Sequence, residues 1–94
     1  MTGDQAIREL LALDYRFFAL AARVPGLHPC AAEQLHADYA LANDYASLIA
    51  RVRGSTLDDA RRIIAENKPP STDDAFVHAS AWVLTIVSIH GRGQ

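Results

Sequence analysis

Several things are scarce in this chain, and each scarcity removes a class of protein. There is one cysteine, Cys30, so no internal disulfide can close, which suits a reducing compartment. Charge of one sign is lacking too. The net charge is −2 with both signs spread along the chain, which argues against a basic nucleic-acid surface and equally against an acidic mimic of DNA. The first ten residues, MTGDQAIREL, lack a basic segment followed by an apolar one, so no secretion signal is expected and the chain reads as cytoplasmic. No apolar run reaches the roughly 20 residues that a bilayer requires, so no membrane span is expected. Glycine-rich phosphate loops, a nucleophile elbow, paired metal motifs and internal repeats are all missing, and no cofactor or metal is expected.

What is present is a folding sequence. Half of the 94 residues are hydrophobic, enough for the modest core of one domain over 1–94, with 91–94 expected as a frayed tail. The stretch that organises the rest is DAFVHASAWVLTIVSIH, Asp74 to His90, apolar almost all round. Its many β-branched residues favour a strand. Its small and polar positions, His78, Ala81, Thr85 and Ser88, instead recur with a 3-4-3 spacing, the narrow stripe of a helix. Ser71-Thr72-Asp73-Asp74 supplies cap residues and first-turn acids before it, and Gly91 a stop after it. The segment reads as a helix that other helices, or a second copy of the chain, must cover.

Three further helices precede it. The first spans about 4–23, with an apolar arc of Ile7, Leu10, Leu11, Leu13, Phe17, Phe18, Leu20 and Ala21 opposite Arg8, Glu9, Arg16 and Arg23. Two prolines and Gly26 turn the chain at 24–29. An alanine-rich second helix is predicted over 30–53, its arc formed by Leu35, Tyr39, Leu41, Ala42, Tyr45, Leu48, Ile49 and Val52. A short third helix over 56–67 opens on Ser55-Thr56 and stops at Pro69-Pro70, and the fourth runs over 73–90. Short connections between such helices predict an all-α fold, a small antiparallel four-helix bundle.

Two acids fall where leucines belong. At about 100° per residue, Asp14 lies among Leu10, Leu11, Phe18 and Ala21, and Asp38 among Leu35, Ala42, Tyr45 and Ile49. In an antiparallel hairpin both would sit roughly 12–14 Å from the turn and face one another. Buried carboxylates need a shared proton, a cation or a partner, and Arg61, Arg53, His78 and the tyrosines Tyr15, Tyr39 and Tyr45 are candidates. A buried polar site of Asp14, Asp38, His78 and Arg61 is therefore one expectation, with a structural arginine–carboxylate network as its plainer form.

Other constellations are weaker. Glu33-x-x-His36 has metal-pair spacing but occurs once and falls on the polar side of helix two, so a solvated face is expected. His28, Cys30 and His36 are too loosely spaced for a structural zinc site. Arg51, Arg53, Arg61 and Arg62 gather near one turn, although Asp58 and Asp59 blunt their field.

With no catalytic constellation, the first functional expectation is a small cytoplasmic protein–protein interaction module: a regulator, adaptor or inhibitor, working alone or as a homodimer. Its contact surface would use the surplus apolar side chains of the last helix, Phe76, Trp82, Ile86 and Ile89. The alternative is a ligand-binding or enzymatic bundle with a polar interior around Asp14 and Asp38. A weaker one is nucleic-acid contact through the Arg51–Arg62 corner.

Overall fold

The computed structural model describes residues 3–42, 45–71 and 73–91. Among them the regular structure is entirely α-helical: α1 Gly3–Ala21, α2 Pro29–Ala42, α3 Tyr45–Arg51, α4 Leu57–Glu66 and α5 Asp74–His90. There are thus five helices where four were expected, because the second expected helix is two. The residues between its halves, Asn43 and Asp44, lie outside the described residues. Both residue types are poor helix formers, since their side chains compete for backbone hydrogen bonds. The all-α fold is as expected, and the described residues form five helices and not the expected four-helix antiparallel bundle. The expected tail after Gly91, and Thr72 before α5, also lie outside the described residues.

The apolar helix is central, as its composition demands. α5 packs along α1, and α3 and α4 close on both. The central pair runs antiparallel. Near one end the rings of Tyr15 and Phe76 meet edge to face with centroids 5.5 Å apart, while at the other Gly3 and Gly91 both approach Ser55. A Cβ on Gly91 would come within 2.6 Å of the Ser55 carbonyl oxygen and 2.5 Å of that of Val87, so this approach requires a glycine. Ile7 and Leu10 of α1, Val52, Ile63 of α4, and Val83 and Val87 of α5 are fully buried. Ala6, Ala60 and Ala79, also fully buried, leave room for the helix backbones to come close.

The helix ends follow the local chemistry. α1 finishes in tightened turns (Arg23 N–H to Leu20 carbonyl 3.1 Å, Val24 N–H to Ala21 carbonyl 3.1 Å), and Gly26 takes the left-handed φ of 76° that reverses the chain. Thr56 and Asp59 form a reciprocal capping box on α4: the Asp59 N–H donates to Thr56 Oγ1 at 3.2 Å and the Thr56 N–H to Asp59 Oδ2 at 3.0 Å. Thr56→Ala is expected to cost about 1 kcal/mol, read as a lower urea midpoint with an unchanged slope. Asp73 caps α5 by accepting from the Ala75 N–H at 3.0 Å, and Tyr15 donates its hydroxyl to the same carboxylate at 2.5 Å. Carboxylate contact and burial hold the Tyr15 hydroxyl above its ordinary pKa, and the bond ties the start of α5 to α1.

Candidate functional site

The buried polar site of this fold is built on Asp14 and His36. Asp14 is 0% exposed and His36 1%, and Asp14 Oδ1 lies 2.7 Å from His36 Nε2. Burial raises the Asp14 carboxyl above its ordinary pKa, while the hydrogen bond from His36 and the imidazole's proximity pull it down. Neither residue is fully satisfied. Asp14 Oδ2 and His36 Nδ1 are buried without a hydrogen-bond partner among the described residues.

Aromatic rings converge on the imidazole. The chain has three phenylalanines, three tyrosines and one tryptophan, and five of these rings lie within 6.0 Å of His36, centroid to centroid. Phe18 stacks on it at 5.1 Å and 11°, and Trp82 tilts over it at 4.5 Å and 31°. Phe17 meets it edge to face at 5.2 Å and Tyr45 at 5.9 Å. Tyr39 sits at 6.0 Å and anchors α2 to α1 by donating its hydroxyl to the Leu13 carbonyl at 3.1 Å. Burial pushes the Tyr39 hydroxyl pKa up, with Arg16 opposing and Asp14 adding to the rise.

Beside this cluster a pocket of about 420 Å³ opens between α2, α3 and α5. His36, Ala37 and Ala40 line it from α2, Tyr45, Ala46 and Ile49 from α3, and Trp82 and Ile86 from α5. Small side chains on two helices make the space, since alanines cannot fill the gap opposite Trp82. Among the described residues the lining holds no Asp, Glu, Lys or Arg. It does hold two buried polar atoms with no partner among the described residues: His36 Nδ1 and the Tyr45 hydroxyl, on a residue 7% exposed. A smaller pocket of about 140 Å³ lies where the end of α1, Leu27 and the start of α5 meet, with His78 and Asp74 on its wall.

The residues expected to form the site are not brought together. Asp14 is buried, but Asp38 is exposed and does not face it. His78 is exposed and lies over Phe18 at 5.3 Å, and Arg61 is exposed and paired with Asp58 at 3.2 Å. His36, expected on a solvated face beside Glu33, is instead the partner of Asp14, and only Glu33 is exposed.

The cause is a phase reset. The buried stripe of α2 is Ala32, His36 and half-buried Ala40, whereas Leu35 is 49% exposed. A continuous helix carrying Tyr45, Leu48 and Val52 inward would turn Asp38 inward and His36 outward, about half a turn from the observed face. α2 and α3 thus bury faces that one straight helical period would not align, and Asp38 and His36 exchange roles.

The last helix spends most of its apolar surface inside. Phe76 and Ile86 are buried, Trp82 is half-buried at the pocket, and Ile89 alone of the four expected contact residues stands out, at 64% exposed. The arginine corner is similarly engaged. Arg51 donates to Glu9 at 2.7 Å and holds its carboxyl below the usual range, and Arg62 reaches Asp4 at 2.8 Å and Glu66 at 3.5 Å. Those carboxylates leave little uncompensated positive field for a phosphate backbone.

His28 accepts the Cys30 N–H at its Nδ1, 3.1 Å away. Among the described residues no three His, Cys, Asp or Glu side chains are grouped to hold a metal ion, and no helix is long and apolar enough to cross a membrane. Comparison with protein-family models, with curated proteins and with solved structures finds no match to this chain.

Proposed function

We propose that this protein is a helical small-molecule-binding domain whose site is the pocket between α2, α3 and α5, with the Asp14–His36 pair at its polar end. One observation carries the reading. Two buried polar atoms that have no partner among the described residues, His36 Nδ1 and the Tyr45 hydroxyl, belong to residues that line the same apolar pocket. Unpaired buried polar groups cost about 1–3 kcal/mol each, so a fold that keeps two at one pocket gains from a molecule that satisfies them. The volume of about 420 Å³ is in the range of small-molecule sites, which are mostly apolar with a few fixed polar groups.

A fragment library titrated into ¹⁵N-labelled protein tests this. Bound fragments are expected to shift the Trp82 indole and Ile49 amide resonances together, and Ala40→Phe, which fills the pocket from α2, is expected to abolish those shifts. A library that leaves these resonances unmoved, or shifts that persist in Ala40→Phe, would sink the proposal.

A second reading is the protein–protein interaction module, a dimer in the cytoplasm, where an exposed lone thiol such as Cys30 stays reduced. The exposure of Leu20, Val24, Leu35, Val77 and Ile89 favours it. They are spread over both ends of the α1–α5 pair, however, and single exposed apolar side chains are ordinary. Light scattering decides the dimeric form: a monomer at high micromolar concentration removes it.

A further inference from the structure

Resting on the pocket reading above, we infer that the ligand is an apolar weak acid: a compact hydrophobic body bearing one acidic oxygen group, of phenol or carboxylic-acid type, bound with that group between His36 Nδ1 and the Tyr45 hydroxyl.

The lining excludes much else. Among the described residues that line the pocket, polyanions such as nucleotides find no Lys or Arg to meet phosphate, and a permanent cation finds no carboxylate. Sugars and other many-hydroxyl ligands would strip water from more polar groups than the pocket can satisfy, since its wall among the described residues is mostly apolar, with polar side-chain atoms on His36, Tyr45 and Trp82.

The proton inventory then selects an acid. Asp14 Oδ1 and His36 Nε2, 2.7 Å apart, share a proton, so the far nitrogen depends on how many protons the pair holds. With one, Asp14 is a carboxylate, Nε2–H donates to it and Nδ1 offers a lone pair. With two, Nδ1 carries a hydrogen and donates.

An acidic oxygen fits both states. Arriving as O–H against the lone pair, its O–H bond breaks, the proton goes to Nδ1, and the electron pair stays on the ligand oxygen. The imidazolium then lies between the Asp14 carboxylate at Nε2 and the ligand oxyanion at Nδ1. Arriving as an anion against the two-proton pair, the ligand gives the same complex. The Tyr45 hydroxyl, on a ring edge-on to His36 at 5.9 Å, donates to the same anionic group. A ketone, which only accepts, fits the second state alone; an alcohol or a primary amide can meet either state but keeps its proton, so neither forms the charge-assisted bonds that the acid forms.

The remaining titratable neighbours do not compete. Tyr39 spends its hydroxyl on Leu13, and His78 is exposed over Phe18. Trp82, tilted over the imidazole, supplies a ring face for the hydrophobic body and for the imidazolium.

Phenol and benzoic acid serve as probes, with benzyl alcohol, benzamide and benzylamine as size-matched controls, each titrated into protein with ¹⁵N-labelled histidine. The two acids are expected to bind about tenfold more tightly than the controls, as one added charge-assisted hydrogen bond implies. They are also expected to move the His36 Nδ1 resonance to its protonated position. Tyr45→Phe, which keeps the ring and removes only an unpaired hydroxyl, is expected to leave folding intact and lose about tenfold in affinity for the acids alone. Controls that bind as well as the acids, while Ala40→Phe blocks them all, would overturn the ligand class and leave the pocket standing. Acids that bind Tyr45→Phe undiminished would overturn it too. If none of the five probes perturbs His36 or Trp82 while other fragments do, the class alone falls; silence from every fragment removes the pocket as well.

Discussion

His36→Ala is expected to remove about 3–5 kcal/mol of folding stability at neutral pH, because it empties the space of a fully buried ring and takes the hydrogen-bond partner from a buried carboxyl. For a domain whose whole stability is about 5–15 kcal/mol, this is a large fraction. The loss has two sources. A fully buried ring leaves a cavity between Phe18 and Trp82, and the Asp14 carboxyl keeps no hydrogen-bond partner among the described residues, since its Oδ2 has none already.

The pH dependence separates them. Burial raises the Asp14 pKa in the folded state, so the stability linked to it is fully present below the ordinary carboxylate pKa of 3.8 and is lost as pH rises through the raised folded value. His36 is what opposes that rise. Without it the folded pKa climbs further, and the difference between wild type and variant should widen from pH 5 to pH 8. Urea unfolding at both pH values measures it; a gap that is constant with pH would assign the effect to the cavity alone. Asp38→Ala, on the exposed side of α2, is expected to leave the midpoint where it was.

Phe18→Ala is expected to cost a similar amount, about 3–5 kcal/mol, because Phe18 is buried in the α1–α5 core and its ring stacks on His36 at 5.1 Å and on His78 at 5.3 Å. Its effect should reach the site as well as the core. Removing the ring lets water approach Asp14 and His36, which relaxes the burial that raises the Asp14 pKa. Phe18→Leu separates the two consequences. Leucine restores most of the apolar volume and should recover most of the stability, yet it cannot stack on the imidazole. Trp82, the chain's single tryptophan, lies 4.5 Å from His36 and reports on both variants by its fluorescence. If Phe18→Leu restores stability and also the wild-type pH response of Trp82, the stacking has no role in the site.

Much of the fold was legible in the residue order. The caps at Thr56–Asp59 and Asp73, the turn at Gly26 and the helical character of 74–90 depend on contacts within a few residues, which neighbours in sequence define. Asp14 was legible for the same reason: α1 is one uninterrupted helix, so the apolar residues on either side fix its direction. Helix two was not. Its 3.6-residue period carries a face reliably only along one helix, and α2 and α3 each turn their own best face inward.

That rotation put Asp38 in solvent and His36 against Asp14, and no spacing rule within α2 could have announced it. The one available signal was the pair Asn43-Asp44, whose low helix propensity marks a place where phase can reset. The sequence by itself determined an all-helical chain with a buried acid on its first helix. Only the tertiary structure decided which side chain that acid would meet, and which alanines would face Trp82 to leave a pocket, because both depend on how separate helices rotate against a shared core.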